Sequence, residues 1–142
     1  MMWPFRRRND AAKPVHAMNQ GALTALQDAT KGLLYPSETD NPFELVSWGK
    51  ADGDLTPPRV AVLVKAPAGT AVEEQSLADF FQYLTDDKAE HAKEFGQLQQ
   101  VIGKQLTDTR VFKVGSVTID VYIVGRTADG EWAGLKTQSV ET

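Results

Sequence analysis

The chain has no cysteine and only two histidines, His16 and His91, among its 142 residues. Without thiols there can be no disulfide, no thiolate metal site and no cysteine nucleophile, and folding needs no oxidising compartment. The histidines are far apart in sequence and there is neither a G-x-S-x-G elbow nor a P-loop, so nothing in the sequence assembles a serine triad. His91 and Glu94 lie three residues apart with Glu90 and Asp87 nearby, but no further ligand completes a metal set, and an exposed helix face is the expected use of these residues. No apolar run approaches about 18 residues, so no membrane span is expected. The opening MMWPFRRRND has arginines without the apolar stretch that follows them in a secretory signal. The expected protein is cytoplasmic, carries no cofactor of its own and performs no catalysis.

What is present is an ordinary globular composition, 42% hydrophobic and 24% charged, with one domain's worth of chain. A domain of this size buries roughly 70% of the surface its unfolded chain exposes, enough for a real core. The charge is uneven. Residues 1–30 carry four basic and two acidic side chains, whereas residues 31–142 carry 11 basic against 17 acidic, a net −6. An acidic body is a poor nucleic-acid binder, and no direct nucleic-acid contact is expected. It is a plausible partner for a protein that binds nucleic acid, because one basic cleft attracts both. Residues 1–17, basic and broken by Pro4 and Pro14, are expected to form a disordered arm ahead of a domain over 18–142.

Periodicity and punctuation set the elements. A helix is expected from Asn19, its cap, to Gly32, a left-handed stop, with Ala22, Leu23, Leu26 and Ala29 on one face. Phe43 to Trp48 predicts a strand with Phe43 and Leu45 opposed to Val46 and Trp48, and Ala51 to Pro58 a loop. Within that loop Asp52-Gly53-Asp54 lacks the downstream ligands of a calcium loop. The continuous apolar run Val60 to Val64 predicts a strand covered on both faces. Ser76 and Asp79 cap a short helix bearing Leu77, Phe80, Phe81 and Leu84. A longer helix is predicted from Asp86 to Leu106, with Gly96 and Gly103 marking close packing. Arg110–Val114, Val117–Val124 and Glu131–Val140 predict a three-strand meander turning at Gly115-Ser116 and Asp129-Gly130. In the middle strand Val117, Ile119, Val121 and Ile123 alternate with Thr118, Asp120, Tyr122 and Val124. The class is α+β, a mostly antiparallel sheet with helices packed on it.

The organising stretch is GLLYPSETDNPFELVSWG, residues 32–49. Tyr35 and Asn41 each precede a proline and are pushed toward extended geometry, so Ser37, Glu38, Thr39 and Asp40 are held between Pro36 and Pro42. A stiff loop of this kind presents a carboxylate in a fixed place. At the far end, Ser139-Val140-Glu141-Thr142 closes a strand-like run with a carboxylate, a hydroxyl and the terminal carboxylate.

GLLYPSETDNPFE, VTIDVYIVGRTADGEWAGL and the ending Val140-Glu141-Thr142, three separated blocks in order, resemble the nuclease A inhibitor family, whose members block a sugar-nonspecific DNA/RNA endonuclease. The resemblance covers roughly Leu23 to Thr142. It implies an α/β/α sandwich related to the pathogenesis-related-1 type of fold. It also implies that Glu38 enters the nuclease's active cleft as a phosphate-like anion, and that Thr142 approaches the magnesium bound by the nuclease. Ser37, Thr39, Asp40 and Glu141 would flank these contacts. The free inhibitor is expected to be a monomer that contacts no membrane. One departure stands out. A tryptophan that contacts the nuclease between the two central helices in the family has no counterpart in Tyr83 to Glu94, and Trp48 and Trp132 lie in strand-like runs elsewhere. The other reading is an interaction module on the same scaffold, with a non-nuclease partner and a contribution from Arg6-Arg7-Arg8.

Overall fold

The computed structural model describes residues 21–50 and 53–141; the expected arm, His16, the Asn19 cap, Asp52 and Thr142 lie outside them. Residues 21–30 are helical (α1). The helix stops as expected at Gly32, whose φ of +74° is the left-handed conformation that glycine adopts at little cost. Two short strands follow, β1 (Leu34–Tyr35) and β2 (Asn41–Pro42), pairing Leu34 with Pro42 and Tyr35 with Asn41. Next come β3 (Glu44–Gly49), α2 (Pro57–Leu63), β4 (Val72–Gln75), α3 (Leu77–Phe81), α4 (Ala92–Gln105), β5 (Thr107–Val114), β6 (Thr118–Arg126) and β7 (Trp132–Val140). Strands β3, β7, β6, β5 and β4 lie in that order in one sheet, every neighbouring pair antiparallel. The α+β class is the one the element pattern predicts.

The alternation in β6 places its two faces as expected. Ile119, Val121 and Ile123 join Val111, Leu135 and the buried side chains of α1, α3 and α4, including Leu26, Phe80, Phe95 and Ile102, in one core. Tyr122 and Val124 face the other way, into a second core with Leu55, Val60, Phe112 and Trp132. The β3 parity holds too, with Phe43 and Leu45 against the first core and Val46 and Trp48 against the second. At the centre, β7 approaches β6 so closely that a Cβ on Gly134 would lie 1.9 Å from the Ile123 carbonyl oxygen.

Several local expectations are corrected. The apolar run after Pro58 is a helix rather than a strand: Thr56 caps it, its hydroxyl accepting the Arg59 N–H at 3.4 Å, and the two prolines occupy the first turn, where a missing N–H costs nothing. Its burial is helical as well, since Val60 is fully buried while Val62 is 76% exposed. The β4 strand was not expected, because VEEQ has no apolar alternation; it forms by pairing with Val111 to Val114 of β5. The long helix begins at Ala92, six residues late. Asp86 caps a turn by accepting the Lys88 N–H at 2.9 Å, and His91 at φ +63° breaks any helical path through it. Gly96 and Gly103 face open space, not a close neighbour. Val117 precedes β6 and is 55% exposed. Ser76 does cap α3, accepting the Asp79 N–H at 3.1 Å.

Candidate functional site: an acidic loop docked on the last strand

Strand β3 pairs with β7 from Gly49 back to Glu44, opposite Lys136. The chain upstream of Glu44 therefore runs on along β7 toward its C-terminal end, which carries the proline-bracketed loop with it. The docking is made by hydrogen bonds of single side chains and one backbone pair. Asn41 Nδ2 donates to the Gln138 carbonyl at 3.1 Å and to Thr39 Oγ1 at 2.8 Å. The buried Thr137 hydroxyl donates to the Pro42 carbonyl at 3.0 Å. Ser37 Oγ accepts the Val140 N–H at 3.1 Å, and the Glu38 N–H donates to the Val140 carbonyl at 3.2 Å. Ser37 also accepts from the Thr39 N–H at 3.3 Å and donates to the Thr39 carbonyl, an ST-type turn that shapes the loop from within.

The consequence is that two features separated by about a hundred residues in sequence meet in space. The Glu38, Thr39 and Asp40 side chains are exposed on the loop, with Ser37 half-buried beneath them. Glu141 is exposed next to them at the end of β7, its N–H donating to the Val117 carbonyl at 2.9 Å and its Oε2 accepting from Ser139 Oγ at 2.9 Å. Of the six residues singled out in the sequence, five lie in this one surface; Thr142 lies outside the described residues. Glu38 and Glu141 thus project hard, anionic oxygens from a backbone tethered at several points.

Three residues position this site. Asn41 and Thr137 supply the tethers just described; in the sequence Asn41 is marked only as the extended residue before Pro42, and Thr137 is not singled out. The third is Tyr35, marked in the sequence only as the residue before Pro36, whose ring stacks on Phe80 at 5.6 Å between centroids and meets Phe43 edge-on at 6.3 Å. Burial, and then the Glu141 carboxylate, push its phenol above the usual value, so the base of the loop and the chain's end share one electrostatic environment.

His91 lies 3.9 Å from Glu90 and 3.8 Å from Glu94 on an exposed surface. Among the described residues no three histidine, aspartate or glutamate side chains group as a metal site. The Gly53 carbonyl, next to the calcium-like motif, accepts from Arg126 at 2.9 Å. Trp132 is fully buried, with the Arg126 guanidinium 4.4 Å from its ring centroid, and Trp48 packs on Tyr122 at 5.4 Å. Among the described residues no helix is long and apolar enough to cross a membrane.

Compared with known families, residues 20–142 match the family described as nuclease A inhibitor-like protein. No curated protein sequence matches the chain.

Proposed function

The chain belongs to the nuclease A inhibitor-like family, and from that premise we propose that it inhibits a magnesium-dependent, sugar-nonspecific endonuclease by occupying its active cleft. Family membership points to a nuclease inhibitor in general, and so to a protein that is not itself an enzyme. The observation that supports the finer reading is the docked loop, because it lets Glu38 and the end of β7 enter one cleft together. Glu38 takes the place of a substrate phosphate among basic side chains. Thr142 is then an oxygen donor toward the magnesium of the nuclease, a metal that takes hard oxygen ligands. Ser37, Thr39, Asp40 and Glu141 border the contact. The free protein is read as a cytoplasmic monomer that avoids nucleic acid and membranes, its folded part spanning 18–142. Helices on both faces of the sheet fit an α/β/α sandwich of the pathogenesis-related-1 type.

Preorganisation is the physical advantage of this arrangement. An ordering cost met during folding is not met again on binding, so a fixed carboxylate binds more tightly than a flexible one. The test is a supercoiled-plasmid nicking assay with such a nuclease, titrated with the intact chain, a form lacking Glu141 and Thr142, and Glu38→Ala. Near-stoichiometric inhibition by the intact chain and at least tenfold weaker inhibition by both variants is expected. A buried charged pair that loses one member typically costs thirtyfold or more in affinity. A loss confined to twofold for Glu38→Ala removes Glu38 from the centre of the interface.

A second reading is favoured by one observation: residues 83–94 contain no tryptophan, and aromatic anchors often dominate interface energy. On that reading the scaffold binds a protein other than a nuclease, and capture from lysate returns no nuclease.

A further inference from the structure

Beside the loop, a cleft of about 470 Å³ opens between the β1 region, α3 and the start of α4. Pro36 and Asp40 line it, so it is continuous with the surface that carries Glu38. We propose that this cleft receives an arginine side chain of the inhibited nuclease, seated at the rim of its basic cleft while Glu38 fills the centre; the proposal rests on the inhibitor reading above.

The lining has the chemistry of a guanidinium site. Its wall is aromatic, with the Tyr35 and Phe80 rings parallel to within 9° and Tyr83 standing 83% exposed at the mouth. Its rim is acidic, with Asp40, Asp79 and Glu90 all exposed. Gln75 also lines it, and its buried amide oxygen has no donor among the described residues. A planar cation that stacks on rings and donates from several N–H groups fits this combination better than an ammonium does. Lys113 is the only lysine or arginine among the described lining residues, and its ammonium lies 5.9 Å from the Phe80 ring centroid. It therefore holds the place of the incoming cation and must be displaced when the partner binds.

That displacement makes the proposal testable by a gain of affinity. Lys113→Gln should tighten binding to the nuclease about threefold to tenfold, mainly through slower dissociation. Lys104→Gln, the same charge change on the exposed end of α4, should stay within twofold. Asp79→Asn and Tyr83→Ala should each weaken binding about fivefold to thirtyfold, the range of a partly desolvated cation–π or charged contact. Both side chains are exposed, and the Asp79 link to Ser76 is through its backbone N–H, so thermal midpoints should not move. If the intact chain inhibits and Glu38→Ala does not, but these variants all bind within twofold of the parent, the cleft proposal is overturned and the inhibitor reading stands. A second arm uses arginine amide alone, followed by amide NMR shifts of the full chain. Shifts at Tyr83, His91 and Lys113 that Asp79→Asn abolishes, and that lysine amide reproduces only weakly, are expected. If no nuclease is inhibited, this arm decides the cleft by itself, and absence of localised shifts rejects it.

Discussion

Replacing Ser37 by alanine removes the hydroxyl that joins the acidic loop to the last strand. In the structure that oxygen accepts the Val140 N–H at 3.1 Å and the Thr39 N–H at 3.3 Å. Three other hydrogen bonds hold the same loop to β7, from the Glu38 N–H to Val140 at 3.2 Å, from Asn41 Nδ2 to Gln138 at 3.1 Å and from the Thr137 hydroxyl to the Pro42 carbonyl at 3.0 Å. Each contributes about 0.5–1.5 kcal/mol net, and against them stands an ordering cost of about 1–2 kcal/mol per backbone residue, reduced by Pro36 and Pro42. Docking is therefore a small difference between comparable numbers. Losing about 1 kcal/mol should raise the population of the undocked loop about fivefold. Global stability should fall by no more, because Ser37 touches neither core, and the thermal midpoint should move by about 3 °C. Native-state hydrogen exchange followed by NMR reads this directly. The Glu38 amide should exchange about fivefold faster, and the Val140 amide, which loses its acceptor, at least as much, while Val121 and Ile123, deep in β6, change much less. Inhibition should weaken by less than exchange accelerates, since apparent affinity scales with the docked fraction. If the two loop-contact amides keep their rates within twofold, the prolines alone hold the loop and the hydroxyl tether is irrelevant. If every strand speeds up equally, Ser37 supports the whole fold rather than the loop.

Three further outcomes are expected. The acidic body of net −6 over residues 31–142 should make association with a basic nuclease slow as salt is added while dissociation changes less; a stopped-flow on-rate indifferent to ionic strength contradicts the steering argument. Tyr35, whose phenol is raised above the ordinary 10.0 by burial and then by Glu141, contributes stability that is fully present below about pH 10 and lost as pH rises through its higher folded value. Urea midpoints from pH 8 to 11 should therefore fall more for the parent than for Tyr35→Phe, and parallel curves would falsify that linkage. Gly134→Ala puts a methyl 1.9 Å from the Ile123 carbonyl oxygen in the middle of the sheet, where strain and a broken ladder should cost about 3 kcal/mol or more; a loss under about 1 kcal/mol shows that the strands can move apart.

Local rules carried much of the way from sequence to structure. The alternation through Ile119, Val121 and Ile123 named the two faces of β6, because a period of two has one geometric meaning on a pleated strand. Gly32 ended α1 and Ser76 began α3, since left-handed backbone and capping hydroxyls act over three or four residues. Where local signals competed, the outcome went to the one with backbone consequences. The run Val60 to Val64 has β-branched residues suited to a strand, but Thr56 with Pro57 and Pro58 had already started a helix. His91, similarly, sits inside a helical period yet takes a left-handed conformation that no hydrophobic pattern records.

The sequence by itself determined that an acidic segment would lie bracketed by two prolines, that a strand would run up to Val140 beside Glu141, and that three blocks in order belong to one family. The meeting of loop and chain end was decided only by the tertiary structure. Asn41 and Gln138 are 97 residues apart and Ser37 and Val140 are 103 apart. Single hydrogen bonds over such separations leave no periodicity in either segment. They form because β3 pairs with β7 in one register, and that register is selected by the burial of Leu45 and Leu135 on one face and Val46 and Trp132 on the other. A slip of one residue would turn every one of those side chains to the wrong face, and Glu38 would leave the end of β7 with them.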